Sequence, residues 1–519
     1  MRTASRFPFL LAIVLLGYVC LGGSGARAIE KSSSYLAALE SIQAGDLRRH
    51  VAYLADDRLK GREAGQRGGR AAGSYLANRL HGLGLRGGGI DGGFFQPFAP
   101  NFRNVLGRLS GSDSKLSSEF VIVCAHYDHV GYGTLRNSRG PVGYVHNGAD
   151  DNASGVSVLI ELAEAFAMLP EPPRRSVLFA AWDAEEKGLL GSKYWVARPT
   201  LPLNRVVAVL NMDMVGCLQN DRLTLLGSRS GVGLRRLVSL QNEGLGLLVD
   251  FDWSVKTGGD QYPFFQRSIP VLLLHTGEHE RYHTPYDDAK WINHAGMNRV
   301  ARLAFHVVYE LADRPQGPRF RPAARRETEA TRRSLAGRAA RPPDRLGVGW
   351  RPDAAAMDGV RLNRVVYGSP ADRAELRPGD RIVQFAGREI HCSADLSGAL
   401  MAAESPATAI VRRTGHAEPL QRTVQLAGKP IRLGIFWRVD DAEPGTIILT
   451  HVVLGSPAAR AGLRPGERIY QVAGRDFADE TEFAQLARTL PEPLELLVER
   501  NGQVRTVVLH IEIRPSRAV

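Results

Sequence analysis

The end of the chain repeats itself. RLGVGWRPDAA at Arg345 returns as RLGIFWRVDDA at Arg432, and GSPADRAELRPGDRIVQFAGREI at Gly368 returns as GSPAARAGLRPGERIYQVAGRDF at Gly455; both pairs are offset by 87 residues. A constant offset without a gap means two copies of one module. Each copy alternates short β-type runs, such as VRLNRVV and TIILTHVV, with Gly and Pro turns, and suggests one short helix after GSPA.

The run GSPA-x-x-A-x-L-x-P-G-D/E, followed by G-R-x-I/F, resembles PDZ domains of the bacterial kind. In that family an extended peptide adds to a sheet edge and its end is received by backbone amides of a Gly-containing loop. The resemblance implies that Leu346, Gly347, Val348 and Gly349 form this loop in copy one (345–430), and Leu433, Gly434, Ile435 and Phe436 in copy two (431–515). Its partners would be peptide C-termini or extended segments; the alternative is a pair of degenerate modules used for packing.

Upstream lies 314–344, where nine Arg face only Glu327, Glu329 and Asp344 and aliphatic residues are scarce. Such a composition buries no core, so a flexible or semi-extended linker is expected. It carries half of the chain's formal charge of +12. Elsewhere the basic residues are dispersed, without an aromatic-interleaved stripe, which argues against a nucleic-acid partner.

At the other end, Arg2 and Arg6 precede an apolar segment from Phe7 to about Leu21 and then Ala26-Arg27-Ala28. This is the pattern of a secretory signal over 1–28, implying a secreted or periplasmic protein; an uncleaved membrane anchor is the alternative and the one route to a membrane. Beyond it only Cys124, Cys217 and Cys392 remain, an odd and scattered set that implies no disulfide framework. Cys124 and Cys217 read as small core residues.

Between leader and linker, residues 29–313 read as an α/β domain. Four apolar, β-branched runs, at 119–124, 176–180, 206–210 and 269–274, predict buried strands, and GVSVLIELAEAFAML predicts a helix from Gly155 that stops before Pro170. Alternating strands and helices predict a mixed, mostly parallel sheet sandwiched by helices. Ligands of such sheets sit outside the carboxyl ends of the strands. The residues at those ends are therefore informative: AHYDH, WDAEEKG, NMDM, and His275 with RYHTP beyond it, while GADDNASG opens the helix. Imidazoles and carboxylates without thiolates suit zinc or a similar divalent ion, and so many acids call for two ions rather than one.

These five ordered motifs resemble the secreted di-zinc aminopeptidases and their relatives, the family that includes glutamate carboxypeptidase II. The resemblance covers about 45–312 and implies a zinc exopeptidase fold. It further implies two zinc ions per chain, with His126 and Asp213 on one, Glu186 and His283 on the other, and Asp151 bridging. Asp128 would hold the far nitrogen of His126, and Glu185 would be the general base, the two glutamates diverging because neighbours in an extended segment point opposite ways. Tyr282 could donate to a developing oxyanion. His129, His275 and Asp260 read as supporting residues and Asp150 as a solvent-facing or capping acid. The family's usual Ser-Asp-His run is replaced by Gly259-Asp260-Gln261, and no protease-associated insert fits before AHYDH. The expected substrates are peptides cut at their amino ends. A carboxypeptidase, a glutaminyl-cyclase-like enzyme of the same fold, or a non-catalytic scaffold using the PDZ pair are the alternatives.

Overall fold

Strands with two apolar faces must be covered on both sides, and the chain does this around one large sheet. The computed structural model describes residues 32–336, 344–351, 358–491 and 493–511, so the leader expected at 1–28 lies outside the described residues. Among the described residues no helix is long and apolar enough to cross a membrane.

The sheet is built from β1 (Phe102–Leu109), β2 (Phe120–His126), β3 (Ser176–Trp182), β4 (Val206–Met212), β5 (Arg222–Leu226), β6 (Leu248–Asp252) and β7 (Val271–His275). Their order is β1-β3-β2-β4-β7-β5-β6, and the short strands Arg86–Gly87 and Phe95–Phe98 both pair with β1. The central four, β3, β2, β4 and β7, run parallel; β1 pairs antiparallel with β3 and β5 antiparallel with β7. Alternation along the strands divides the core. Val121, Val123, Ala125, Val177 and Phe179 join one buried cluster, while Ile122, Cys124, Leu178, Ala180 and Trp182 join another on the opposite face. The first is covered by α1 (Ser33–Ser41), α2 (Ala44–Leu54), α3 (Arg67–Gly82) and α4 (Gly155–Ala167). The second receives α5 (Leu190–Ala197) and the short helix Tyr262–Gln266. Two more helices, α6 (Leu234–Gln241) and α7 (His294–Asp313), complete the first face. The four expected strands and the expected helix are all present.

The Arg- and Pro-rich segment departs from its composition. Instead of a flexible linker, residues 314–336 lie ordered against the α/β part, with a short helix at Glu329–Ala336. The reason is ion pairing beside a small apolar contact, Ala324 and Phe320 packing on the second core cluster. Arg321, 4% exposed, donates to Arg229 O (2.8 Å) and pairs with Glu327 (3.0 Å) and with Asp441 of the last module (2.6 Å).

Beyond it stand two separate antiparallel sheets with their own cores, one around Leu362, Ile382 and Phe385 and one around Leu449, Ile469 and Phe483. In the first, β8 (Val348–Trp350) is an edge strand and α8 (Ser393–Ala402) its longer helix; in the second, β9 (Ile435–Arg438) and α9 (Glu480–Thr489) take those places. The second module is docked on the α/β part. Arg229 makes bidentate pairs with Asp440 (2.9 and 3.0 Å) and with Glu327 (2.7 and 2.8 Å), its guanidinium 3.8 Å above the Trp253 ring. Arg235 pairs with Glu499, and Arg236 with Asp476. The hairpin tip at Asn501-Gly502 meets the edge strand β6, where Val249 N donates to Asn501 O (2.8 Å). The two modules also touch: a Cβ on Gly398 of α8 would stand 2.5 Å from Gly455 O.

Candidate active site

Each parallel strand ends by turning a polar residue into one rim. His126 is the last residue of β2, Glu185 and Glu186 lie in the turn after β3, Asp213 comes directly after β4, and His283 sits in the loop beyond β7. Asp151 arrives from the irregular turn Ala149–Ser154 ahead of α4. That turn is stitched to the end of β4. Asn152 Nδ2 donates to Met212 O (2.9 Å), its Oδ1 accepts from Met214 N (3.2 Å), and Ser154 Oγ accepts from Val215 N (3.0 Å). Gly148 opens the turn at φ 56, where a Cβ would stand 2.1 Å from Asp151 O. Asp287 holds the turn from outside, its carboxylate accepting from Asp150 N (3.0 Å) and Asp151 N (3.0 Å).

The side chains converge in two overlapping groups. His126 Nε2 lies 3.3 Å from Asp151 Oδ1 and 3.4 Å from Asp213 Oδ1. His283 Nε2 lies 3.0 Å from Asp151 Oδ2 and 3.2 Å from Glu186 Oε2. Asp151 is thus shared, one oxygen to each group. The second group has a further member: His129 Nδ1 is 2.8 Å from Glu186 Oε1, and its buried Nε2 has no partner among the described residues. His129 therefore stands among the candidate ligands as well as beside them.

Charge supports a cation at each group. Burial alone would hold His283 down, yet hydrogen bonds to Asp151 and Glu186 carry it up to about 10. His126 likewise rises against its burial under the pull of Glu185, Asp128, Asp151 and Asp213. Glu185, which joins neither group, is pushed well above the usual carboxylate range by burial and by Asp260, Glu186 and Asp213. The crowded acids call for positive charge, and the donor set of imidazole and carboxylate fits zinc.

Several positions differ in detail from the expectation. The Glu185-Glu186 pair is not in an extended segment: β3 ends at Trp182, Ala184 has φ 56, and Glu185 O accepts from Gly188 N and Leu189 N (2.8 Å each), so a tight turn separates the two carboxylates. Asp128 is 3.7 Å from His126 Nδ1, which is closer to the Asp128 carbonyl (3.2 Å). Its carboxylate is engaged instead by Glu185 N (3.0 Å) and Glu186 N (3.4 Å), so it fixes the glutamate turn. Asp150 is fully buried rather than solvent-facing, accepting from Gly216 N (2.7 Å) and facing His279 Nε2 (3.1 Å). His275 caps its own turn through Gly277 N, and Asp260 accepts from Ser192 Oγ (2.5 Å), its pKa pushed up to about 7 chiefly by burial. The Tyr282 ring lies tilted against His283, centroids 4.0 Å apart, with the Arg139 guanidinium over it, and burial, then Asp151 and Glu186, hold its hydroxyl protonated.

Sequence reasoning passed over Arg62 and Asp287. Arg62 is 1% exposed and donates to Leu54 O (2.7 Å), Tyr127 O (3.0 Å), Asn147 O (2.6 Å) and Gly148 O (2.9 Å), tying the histidine loop to the aspartate turn. Their signal lay in the motifs GREAG and YHTPYDD, whose outer residues serve the backbone.

In the modules, Leu346 and Leu433 are buried, Gly347 and Gly434 have φ 80 and 75, and Val348 and Ile435 begin β8 and β9. Gly349 is half-buried, and Phe436 is half-buried with its ring 6.0 Å from that of His451.

Fold and site together define an α/β domain with a clustered imidazole-carboxylate centre, followed by two small β-rich modules. Residues 104–308 match the model of Peptidase family M28, and 361–413 and 448–500 match that of the PDZ domain. The chain carries a family M28 peptidase domain and two PDZ domains. It is 28% identical over 227 residues to "Aminopeptidase YwaD" of Bacillus subtilis, covering 42% of this chain and 46% of that one. It is 34% identical over 268 residues to a "Probable zinc metalloprotease" of Pyrenophora tritici-repentis, covering 43% and 59%. The chain thus spans about half the length of these relatives. Among solved structures, the LapA aminopeptidase of Legionella pneumophila aligns at 18% identity and TM-score 0.47, covering 57% of this chain and 79% of that chain.

Proposed function

We propose that this chain is a secreted or periplasmic di-zinc aminopeptidase whose PDZ modules dock peptide or protein partners. The observation that carries the reading is the sharing of Asp151 between a His126-Asp213 group and a His283-Glu186 group, with a protonatable Glu185 left outside both. His126, Asp151 and Asp213 would hold one zinc, and Glu186, His283 and Asp151, with His129 beside them, the other. Bound there, the ions supply Lewis acidity, acidifying a water and polarising the scissile carbonyl.

The chain's own residues manage the protons. Glu185 takes a proton from the attacking water as its oxygen bonds to the carbonyl carbon, then delivers it to the amine nitrogen as the C–N bond breaks. Asp128 fixes that carboxylate by holding the amides of Glu185 and Glu186, and Tyr282, whose ring lies against His283, is the proposed donor to the oxygen that gains charge. The amino end of a peptide is the better fit. Acids crowd the rim, whereas Arg62 is spent on four carbonyls and Arg139 on Glu278 and the Tyr282 ring, so neither is free for an α-carboxylate.

The test is metal content with turnover of aminoacyl-chromophore substrates. Near two zinc per chain and chelator-sensitive release of the amino-terminal residue are expected; activity that persists in chelator would refute the scheme.

A further inference from the structure

The two PDZ modules share a sequence pattern, so each is a control for the other. Their amide loops take one path. In the first, Val366 N donates to Gly347 O (2.9 Å) and Ala371 N to Leu346 O (2.9 Å); in the second, Val453 N donates to Gly434 O (2.8 Å) and Ala458 N to Leu433 O (3.1 Å). With the carbonyls turned inward, the amides of these loops are left to an incoming anion.

In the first module that place is taken. Asp344 Oδ1 accepts from Gly347 N at 2.5 Å. The offset of 87 puts Ile431 at the corresponding place in the second module. Ile431 lines an apolar groove of about 520 Å³ between β9 and α9, together with Leu433, Ile435, Trp437, Phe483 and Ala487. Among the described residues, no acceptor lies on the Gly434 N–H. The same fold therefore presents a built-in carboxylate in one copy and an open, apolar mouth in the other.

We propose that Asp344 is an internal carboxylate plug, and that the tandem is consequently unequal. The second module receives the free carboxyl end of a peptide whose last side chain is apolar, and the first does not. This rests on reading the modules as peptide receptors. Charge decides the inequality: a peptide carboxylate entering the first loop must displace Asp344 or sit beside a like charge, whereas the second offers an unclaimed amide at an apolar groove. Arg345 and Arg432 do not distinguish the copies, since both cap the ends of their groove helices, Arg345 on Leu400 O and Met401 O and Arg432 on Ala487 O and Arg488 O.

The experiment is calorimetry on the full chain with an octapeptide blocked at its amino end by fluorescein and ending Ala-Leu-Val with a free carboxylate. One peptide per chain is expected, with binding lost for the carboxamide form and in Ala484→Arg, which fills the second groove. Asp344→Ala should add a second equivalent, the first module gaining roughly 100-fold in affinity, and Asp344→Asn, which loses the charge but keeps an acceptor for Gly347 N, should gain less. Two equivalents in the wild type, or one that stays one in both Asp344 variants, would overturn the inequality while leaving the receptor reading intact. No binding by any variant would overturn the receptor reading itself, and the inequality with it.

Discussion

Two neighbouring glutamates, one charge apart in role, make the most direct test at the scale of single residues. Glu186 sits among His129 and His283, while Glu185 touches no imidazole at bonding distance and is pressed toward its protonated form by burial. Glu185→Gln should therefore keep both metals and its melting temperature while turnover falls by ~10² to 10⁴; a variant with near-normal kcat would remove Glu185 from the proton path. His129→Ala should weaken the second equivalent of zinc by ~10- to 100-fold, read by competition with a chromophoric chelator. The convergence of His126, Asp151, Glu186, Asp213 and His283 was legible because each lies in a recognisable motif at a strand or helix end. His129 was not, because its place beside Glu186 depends on the course of the loop after β2, and no spacing rule reports that.

At the scale of elements, the Ala149–Ser154 turn is a part held from three sides: by Asn152 on β4, by Arg62 through Gly148 O, and by Asp287 on two amides. Asp287→Ala frees those amides, so a lower melting temperature and ~10- to 100-fold weaker metal retention are expected together; loss of one without the other would show that Asp287 does not act through Asp151. The buried strands were legible because both of their faces are apolar. β6, LVDFD, escaped because it is short and alternates, as an edge strand does. The segment 314–336 misled for a related reason: composition counts its arginines as solvated, whereas Arg321 and Glu327 find a buried partner in Arg229.

For the whole molecule, the Arg229 cluster is the hinge pin between peptidase and second PDZ module. Asp440 and Glu327 are both held low there, Glu327 at about 2 because hydrogen bonds from Arg229 and Arg321 outweigh its burial. A carboxyl lowered on folding contributes stability that is complete above its unfolded value, 4.5 for glutamate, and lost as pH falls through the folded one. Docking rests on Asp440, also held low by Arg229, so it should hold near neutrality and fail as pH falls below the usual aspartate value of 3.8. The radius of gyration from small-angle scattering should grow below that pH and not above it. Arg229→Met takes the shared arginine from Asp440 and Glu327 and leaves them only Arg438 and Arg321, a loss of about 1.5 to 3 kcal/mol, and should give the same expansion at pH 7.

The contact of Asn501-Gly502 with β6 has a consequence for any shortened form of the chain. With the last module removed, the peptidase sheet ends in a bare strand whose unmet amides and carbonyls invite a second molecule to pair. A version cut before residue 431 should therefore self-associate with concentration, even with its metal centre whole, so the terminal module doubles as a guard against polymerisation.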